Sequence, residues 1–286
     1  RLLEKDATAY EREAELIARG MRELLWMPEK GMFAEYKDLL GLQRVHPSAA
    51  LWTFYHTIDS EVSTAEEALQ MTHYVDREIP HLPVSGPGVP ENLHVLSSSN
   101  WMPYTWSINN VVMGENIHTA LAFWQAGHAD DAFLLTKSSL IASMFMGISP
   151  GNVGTLNYLD VYRREAQRDF GDGSGVTSRA IVEGLFGIKP DMLAGELVIF
   201  PGFPSEWKHA NLHHPDIDLD FQRTEEVARF KITNRLSPTP VIRLRIRKRT
   251  ETTLVSINGH PVEVRTVASN PSLIEIVCPQ TQSFEV

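Results

Sequence analysis

The stretch that decides the fold reads AIVEGLFGIKPDMLAGELVIFPGFPSEW, from Ala180 to Trp207. It begins as a helical pattern, Gly187 and Pro190 end that helix, and alternating apolar residues follow. Helix-forming sequence lies before the stretch and strand-forming sequence lies after it. The chain is therefore predicted to be α-helical over residues 1–194 and an all-β sandwich over residues 195–286.

Six helices are predicted before this stretch. Capping-box patterns start the first and the third of them, at Thr8–Glu11 and Ser63–Glu66, and Pro47 suits the first turn of the second. The predicted helices span residues 8–26, 47–59, 63–78, 110–126, 129–145 and 176–186. The first helix has one apolar stripe, formed by Tyr10, Ala14, Ile17, Met21 and Leu24.

Three long connections alternate with short ones between these helices, near residues 27–47, 79–109 and 147–175. In an up-and-down helical array every second connection lies at the same end. The three long connections are therefore predicted to share one rim. Asp59 and Glu61 lie on a short connection, so they are predicted to be helix caps at the opposite end.

The sequence after residue 195 alternates between apolar and polar residues in short runs separated by turns such as Asn258-Gly259. The runs read ELVIF, DIDLDF, ARFKITN, VIRLRIR, TLVSIN, VEVRTV and LIEIV. This pattern predicts an antiparallel β-sandwich. Alternating arginines between Arg243 and Arg249 fit one exposed strand face better than a basic binding stripe.

Composition excludes several classes of function. With 286 residues and 43% apolar content the chain can bury a substantial core, and a diffuse net charge of −10 disfavours binding to nucleic acid. No apolar run reaches the length of about 20 residues that a membrane helix needs. The single Cys278 excludes an internal disulfide but leaves both cytoplasm and periplasm open. Because Arg1 stands inside a helical pattern, the remainder of a larger polypeptide is expected upstream.

The second long connection carries side chains of the kind that bind sugars. Aromatic faces stack on the C–H side of sugar rings, and amides and carboxylates hydrogen-bond to hydroxyl groups. The candidates for these contacts are Trp101, Tyr104, Trp106, Asn109, Asn110 and, one helical turn later, Glu115. The alternative is that the aromatic residues close the end of a helical bundle.

The third long connection is crowded with charged and aromatic residues. A nearby arginine lowers the pKa of a carboxyl group and burial raises it, so such a cluster can tune an acid or a base. The candidates there are Tyr158, Glu165, Arg168, Asp169 and Asp172. The alternative is a solvated network of ion pairs on the surface.

Other patterns in the chain point to structure rather than chemistry. The segment GDGSGVTS lacks the lysine of a phosphate-binding loop and fits a tight loop that leads into a helix. Ser174 does not suit a nucleophile elbow, because Asp172 stands where that motif has glycine. The histidines His209, His213 and His214 fall in the strand-forming region, which favours structural roles. No cofactor and no metal are predicted.

The order of these elements resembles the C-terminal part of the six-hairpin (α/α)6 glycoside hydrolases, such as the α-L-rhamnosidase and α-L-fucosidase types. The segments EGLFGIKPD and FPGFPSEW stand where those families close the last barrel helix and enter a β-sandwich. The chain is most similar to an uncharacterised glycosidase-like group of bacterial polysaccharide utilisation. A closed toroid of this type has twelve helices, so the resemblance implies that about half of the barrel lies in this chain.

The resemblance also implies an activity. It implies an inverting glycoside hydrolase, periplasmic or secreted, that acts on a plant or host polysaccharide or oligosaccharide. By position Glu165 matches the general base, with Asp169 and Asp172 as neighbours, although RDFGDGSG stands where those enzymes have an aromatic and histidine cluster. Glu115 is favoured as the general acid on the same rim, ahead of Glu91 and Glu35.

Two other functional classes remain as alternatives. One is a non-catalytic carbohydrate-binding or scaffold protein with the same fold, which would keep stacking aromatic residues without a paired acid and base. The other is a helical-repeat interaction module, because ADDAFLLTKSSLIASMF resembles a tetratricopeptide-type helix. No 34-residue period recurs in the sequence, which disfavours that module.

Overall fold

A computed structural model describes residues 6–101, 110–144, 158–160, 165–167, 172–247, 254–269 and 272–286. The chain divides into two compact units, Arg1–Ala180 and Ile181–Val286. The α-helices belong to the first unit, and the described part of the second unit begins within a π-helical segment and is otherwise built from strands. The predicted combination of a mainly α region followed by a β region is therefore confirmed.

The described part of the first unit contains six α-helices. They are α1 (Thr8–Leu25), α2 (Leu51–Asp59), α3 (Ala65–Glu78), α4 (Met113–Ala126), α5 (Ala129–Met144) and α6 (Asp172–Arg179). A π-helical segment, Ala180–Leu185, continues α6 directly. Gly127 ends α4 in the left-handed conformation and the next helix starts two residues later, so the predicted tight turn between these two helices is confirmed.

Helix α4 packs against α2, α3, α5 and α6, so the apolar core of the first unit forms around it. The large side chains that are fully buried there include Phe33, Phe54, Met71, Tyr74, Met113, Ile117, Leu121 and Leu135. Burying one such side chain contributes about 1.5–3 kcal/mol. This core accounts for most of the packing energy of the helices.

Helix α2 begins later than the sequence predicts. It starts at Leu51 rather than at Pro47, because the residues before it are held in an extended form by distant partners. The Ala49 N–H donates to the Tyr74 hydroxyl at 2.9 Å, and the Pro47 carbonyl accepts from the Lys30 ammonium group at 2.8 Å. A contact with a residue far away in sequence therefore overrides the local signal of a proline.

The capping box of α3 lies one residue later than predicted. The Thr64 hydroxyl accepts from the Glu67 N–H at 3.1 Å, and the Glu67 carboxylate accepts from the Thr64 N–H at 2.7 Å. Ser63 does not cap the helix, because its N–H and its hydroxyl both donate to the Thr57 carbonyl, at 3.1 and 3.2 Å. The prediction of a box at Ser63 and Glu66 is therefore wrong.

We expect Thr64→Ala to lower the free energy of unfolding by about 1 kcal/mol, the usual loss for a helix N-cap. Ser63→Ala removes one neutral side-chain hydrogen bond and is expected to have a smaller effect. Urea unfolding of both variants at pH 7 measures the difference. An equal or larger loss for Ser63→Ala would contradict the placement of the cap.

Helix α1 is the amphipathic helix that the sequence predicts, but its apolar stripe is exposed. Tyr10 is 81% exposed, and Ile17 and Leu24 are each 55% exposed. Within the described residues, α1 buries no side chain. The predicted capping box at Thr8–Glu11 is wrong, because Ala7 is the N-cap residue and the helix already includes Thr8.

The strands of the first unit are very short and lie in the connections between helices. They are β1 (Trp26–Met27), β2 (Met32–Phe33), β3 (Tyr36–Lys37), β4 (Val45–His46), β5 (His81–Pro83), β6 (His94–Leu96), β7 (Val111–Val112), β8 (Tyr158–Asp160) and β9 (Glu165–Gln167). The pairs β1–β2, β3–β4 and β5–β6 are antiparallel, and β7, β8 and β9 form one antiparallel sheet. Strands of two or three residues are too short to show alternation in sequence.

The second unit contains two larger sheets and one small pair of strands. Its strands are β10 (Ile188–Asp191), β11 (Glu196–Ile199), β12 (His209–His213), β13 (Ile217–Arg223), β14 (Ala228–Asn234), β15 (Val241–Arg247), β16 (Ser256–Ile257), β17 (His260–Pro261), β18 (Arg265–Ser269), β19 (Ser272–Val277) and β20 (Ser283–Glu285). One sheet has the order β10-β11-β15-β19-β18 and the other has the order β12-β13-β14-β20. The predicted division after residue 194 falls on the turn between β10 and β11.

Alternating burial along the strands fits the predicted pattern, with Ile217, Leu219 and Phe221 buried on β13. The strand pairs described in this unit are antiparallel except β11 and β15, which are parallel from Glu196↔Val241 onward. Between these two strands the chain forms β12, β13 and β14 of the other sheet, so it can return in the same direction. The purely antiparallel arrangement that was predicted does not hold for that pair.

The arginines of β15 lie along one strand face, as the sequence predicts, but Arg243, Arg245 and Arg247 are half-buried rather than exposed. Arg243 lies 2.6 Å from Glu196 and 3.4 Å from Glu275, and Arg245 lies 2.9 Å from Glu275. Glu275 is only 4% exposed, so these arginines shield and neutralise it. Among the described residues, no helix has both the length and the apolar character needed to cross a membrane.

Candidate functional site

The first two long connections of the helical unit are joined at the N-terminus of α2. The Ser48 hydroxyl donates to Asn100 Oδ1 at 2.8 Å, and the Leu51 N–H donates to the Ser98 carbonyl at 2.9 Å. Ser48 Oγ also accepts from the indole N–H of Trp101 at 2.9 Å. The end of the first connection and the end of the second therefore meet where α2 begins.

The third long connection reaches the same region through β8. Val111 of β7, directly before α4, pairs with Leu159 of β8. The residue before β7, Asn110, accepts through its carbonyl from the Ser98 N–H at 2.6 Å. The prediction that the three long connections share one rim is therefore confirmed, and we call this end of the helical unit the rim.

Two indole rings pack edge to face at the rim. The ring centroids of Trp52 and Trp101 are 5.5 Å apart, and the rings are inclined at 86°. Both side chains are partly buried. The sequence marked Trp101 through its polar neighbours but missed Trp52, which stands inside a helical pattern.

The Glu35 carboxylate fixes the start of α2. It accepts from the Ala50 N–H at 3.4 Å, from the Trp52 indole N–H at 2.5 Å and from the Thr53 hydroxyl. A carboxylate at a helix N-terminus satisfies free N–H groups and interacts favourably with the helix dipole. Glu35 was one of three candidates for the general acid, but these contacts favour a capping role.

Glu115 lies half-buried in the first turn of α4. Its neighbour Asn116 is completely buried, and the Asn116 amide accepts from the Leu96 N–H at 2.7 Å. The same amide donates to the carbonyls of Leu96 and Val112, at 2.9 and 3.0 Å. Asn116 thus binds β6 and β7 to α4, so that Glu115 is presented from a fixed backbone.

Asn110 was predicted to bind substrate, and the structure places it inside the protein. It is 0% exposed, and its N–H donates to the Ser98 hydroxyl at 3.3 Å. Its side-chain oxygen accepts from the Val111 N–H at 2.8 Å. These contacts favour a role in holding the second connection in place over direct contact with a sugar.

The strand that carries Glu165 belongs to the sheet beside α4. Glu165 of β9 pairs with Asp160 of β8, and Tyr158 of β8 pairs with Val112, the residue before α4. One strand, β8, therefore separates the strand that carries Glu165 from β7, which leads directly into the helix that carries Glu115. This juxtaposition depends on pairing between distant segments, so local sequence could not reveal it.

The remaining predicted site residues fall into two groups. Asp172 is the first residue of α6, so DGSG at residues 172–175 forms the first turn of that helix and is not the tight loop that was predicted. The others lie outside the described residues, and they are Tyr104, Trp106, Asn109, Arg168 and Asp169. The exposed Glu91 lies between β5 and β6.

No protein-family model and no curated protein matches this chain. Among solved structures, an α-L-rhamnosidase from Dictyoglumus thermophilum matches 99% of the chain with a TM-score of 0.57 and 9% sequence identity. The chain has a six-hairpin glycosidase-like fold. The resemblance that the sequence indicated is therefore confirmed at the level of the fold. The chain spans 29% of the length of that rhamnosidase.

Two further solved structures are similar to the chain, with lower TM-scores. An α-L-rhamnosidase from Streptomyces avermitilis, in complex with L-rhamnose, has a TM-score of 0.49 and 13% identity over 99% of this chain and 25% of its own. A β-L-arabinofuranosidase from Geobacillus stearothermophilus has a TM-score of 0.34 and 9% identity over 82% of this chain and 41% of its own.

The opposite end of the helical unit is tied together by Asp59. Its carboxylate accepts from both terminal nitrogens of Arg179, at 2.7 and 2.6 Å, and from Gln125 Nε2 at 3.0 Å. These hydrogen bonds join the C-terminal ends of α2, α4 and α6. The prediction that Asp59 is structural and lies opposite the long connections is confirmed, although it acts through an ion pair rather than as a cap.

The bidentate contact with Arg179 lowers the pKa of Asp59 to about 2, so this group should make stability depend on pH. An aspartate with a lowered folded-state pKa stabilises the protein above its unfolded value near pH 4, and the effect is lost as pH falls towards 2. We expect Asp59→Asn to lower the free energy of unfolding by about 1–2 kcal/mol at pH 7, allowing for partial exposure of the pair.

Urea unfolding at pH 7 and at pH 2.5 tests the Asp59 prediction. The difference between the wild-type protein and Asp59→Asn should shrink strongly at the lower pH, because the Asp59 carboxyl group of the unfolded chain is then almost fully protonated and most of the linked stabilisation is lost. A difference of the same size at both pH values would show that Asp59 contributes through packing and not through its charge.

The described residues contain no group of three or more His, Cys, Asp or Glu side chains arranged to hold a metal ion. The strand-region histidines pair singly with acids. His213 lies 3.4 Å from Asp218, and His214 lies 3.5 Å from Asp216. These contacts are in line with the structural roles that the sequence favoured for the histidines.

Proposed function

We propose that the protein is a glycoside hydrolase whose chemistry takes place at the rim. The observation that carries the proposal is the β7–β8–β9 sheet, in which β7 leads directly into α4, where Glu115 lies, and β9, which holds Glu165, is the second strand from β7. Hydrolysis of a glycosidic bond requires two carboxyl groups, and this sheet brings their two distant segments into one local structure. The six-hairpin glycosidase-like fold supports the same class of reaction.

In the proposed inverting mechanism, Glu165 removes a proton from a water molecule as that water attacks the anomeric carbon. Glu115 gives its proton to the oxygen of the leaving sugar as the glycosidic bond breaks, and the product has the opposite anomeric configuration. Asp169 and Asp172, which follow Glu165 closely in sequence, are the alternative carboxylates for the role of the base. Solvent then restores both protonation states.

Substrate binding is proposed to use the aromatic and polar residues of the second and third connections. Trp101, Tyr104, Trp106 and Tyr158 would stack on sugar rings, and Asn109 and Arg168 would hydrogen-bond to hydroxyl groups. We propose a plant or host polysaccharide or oligosaccharide as the substrate, and a periplasmic or secreted location for the protein. Fold similarity to an α-L-rhamnosidase makes α-L-rhamnosides the first compounds to test.

We also propose that the helical unit is about half of an (α/α) toroid and that the second unit is a β-sandwich. The exposed stripe of α1 supports the first point, because an amphipathic helix with an unburied apolar face lacks its packing partner. Further helices upstream of Arg1 would cover that face. Hydrogen exchange should then be at least about tenfold slower for α1 amides in the full gene product than in this chain alone.

The proposed activity can be tested on the full gene product. It is incubated with p-nitrophenyl α-L-rhamnopyranoside, p-nitrophenyl α-L-fucopyranoside and a panel of plant oligosaccharides, with and without phosphate. We expect release of free sugar that does not depend on phosphate, with inverted configuration in the first product seen by NMR. Binding of a glycan without release from any substrate would instead support a non-catalytic carbohydrate-binding protein.

A further inference from the structure

The indole N–H groups of Trp52 and Trp101 both donate hydrogen bonds to other residues of the protein. The Trp52 indole N–H donates to the Glu35 carboxylate at 2.5 Å, and the Trp101 indole N–H donates to the carbonyl and the hydroxyl of Ser48, at 3.1 and 2.9 Å. Both side chains nevertheless remain partly exposed. The surface that they expose is therefore mainly ring carbon, which cannot hydrogen-bond to water.

The groups that hold the two indoles are themselves fixed. Glu35 also accepts from Ala50 and Thr53 at the start of α2. Ser48 donates to Asn100, and Asn100 donates to the Glu78 carbonyl at 3.0 Å. These two hydrogen bonds connect the residues around the two indoles to the end of α3. A ligand that packs on such rings would lose little free energy in ordering the side chains.

The exposed amide of Asn100, the residue before Trp101, borders this carbon surface. A sugar ring presents C–H groups on its face and hydroxyl groups at its edge, so it matches an aromatic surface with a polar border. An apolar protein partner would leave the Asn100 amide facing carbon, which is unfavourable. The chemistry of this surface thus favours a saccharide.

We propose that Trp52 and Trp101 form an aromatic platform for one ring of an uncharged saccharide, which stacks on the face of one indole and packs against the other, perpendicular indole, and that Glu35 is the positioning residue for Trp52. The proposal deepens the proposed function, on which it rests for the class of ligand. The platform lies at the N-terminus of α2, so it forms a subsite on the side of the first long connection. Glu35 does not transfer a proton in this arrangement.

The platform can be tested by NMR on the full gene product with 15N-labelled indole groups. Signals of Trp52 and Trp101 are assigned from Trp52→Phe and Trp101→Phe, and methyl α-L-rhamnopyranoside and methyl β-D-glucopyranoside are added as probes. We expect saturable shifts of both signals with at least one probe. The signal of Trp207, which belongs to the second unit, serves as an internal control and should stay constant.

The variant Glu35→Gln distinguishes a role of Glu35 in positioning Trp52 from a role in proton transfer during hydrolysis. Glutamine keeps one acceptor oxygen but loses the charge and the second acceptor, so the Trp52 signal should move and the dissociation constant of the probe should rise by about three- to tenfold. For hydrolysis, KM should rise while kcat stays nearly unchanged. A large fall in kcat with an unchanged KM would assign Glu35 to the chemistry and overturn its positioning role.

The outcomes distinguish the platform from the proposed function. If neither probe shifts the signals of Trp52 and Trp101, or if Trp207 shifts equally, the platform is wrong even when hydrolysis is observed. If both signals shift saturably and no glycoside is cleaved, the platform stands and the proposed hydrolase function fails.

Discussion

Replacing Glu165 with glutamine is expected to lower kcat for hydrolysis of a natural glycoside by about 10³-fold, within the usual range for loss of a general base. Glutamine has the shape of the carboxylate but cannot take a proton from the attacking water. The loss should be similar with a p-nitrophenyl glycoside, because water must be activated whatever the leaving group is. Steady-state kinetics on both types of substrate measures this.

Glu115→Gln should behave differently if Glu115 is the general acid. A p-nitrophenolate leaving group needs little protonation, so kcat on the p-nitrophenyl glycoside should fall much less than kcat on the natural substrate. Glu91→Gln is the matched control, because Glu91 is exposed between β5 and β6, and it should retain activity. Full activity of both Glu165→Gln and Glu115→Gln would contradict the assignment of acid and base.

The largest expected effect on stability comes from Gly187→Ala, at the start of the strand unit. Gly187 has a φ of +69°, and a Cβ atom there would lie 2.0 Å from the Phe200 carbonyl oxygen. That oxygen belongs to backbone, and the Phe200 N–H already donates to the Gly187 carbonyl at 2.8 Å, so the contact cannot relax cheaply. We expect a loss of at least about 3 kcal/mol or a failure to accumulate folded protein.

Gly195→Ala is the matched control for this effect. Gly195 has nearly the same φ, +70°, but a Cβ atom there meets no other atom within 4 Å. Alanine at this position should lower the free energy of unfolding by only about 1 kcal/mol, the cost of the backbone conformation alone. Urea unfolding compares the two variants, and equal losses would show that close approach to Phe200 does not matter.

The elements that could be predicted are those whose signal is local and repeated. Helix α4 has a long apolar sequence and is followed by the glycine that caps its end, Gly127, and strands such as β13 and β14 alternate over seven residues. The Asn258-Gly259 turn is also confirmed, because both residues have positive φ, 51° and 79°, as a two-residue hairpin turn requires. Such signals act within a few residues.

The features that could not be predicted depend on distant partners. Helix α2 starts late because Tyr74 and Glu35 hold the residues before it, and neither partner is near in sequence. The role of Asn116 could not be predicted either, since it depends on a hydrogen bond with Leu96, which lies 20 residues earlier. An asparagine inside a helical pattern gives no indication of such a contact.

In the candidate site, too, the residues with a local sequence signal could be predicted and those defined by distant contacts could not. Trp101 was found because aromatic and amide residues cluster around it, whereas Trp52 is identified only by its contacts with Glu35 and Trp101. The described parts of the long connections meet at one rim, as predicted, because their placement depends only on the number and order of the helices. The segments of Glu115 and Glu165 are linked by the pairing of β7 with β8 and of β8 with β9, which the local sequence does not reveal.

The distance between the carboxyl groups of Glu115 and Glu165, measured in a crystal structure of the full gene product, tests the proposed chemistry most directly. An inverting hydrolase requires a separation of about 6.5–9.5 Å, which leaves room for the attacking water, and we expect a value in that range. A separation of about 5–5.5 Å would indicate a retaining mechanism instead. Carboxyl groups further apart than about 12 Å, or facing away from the rim, would contradict their assignment as the catalytic pair.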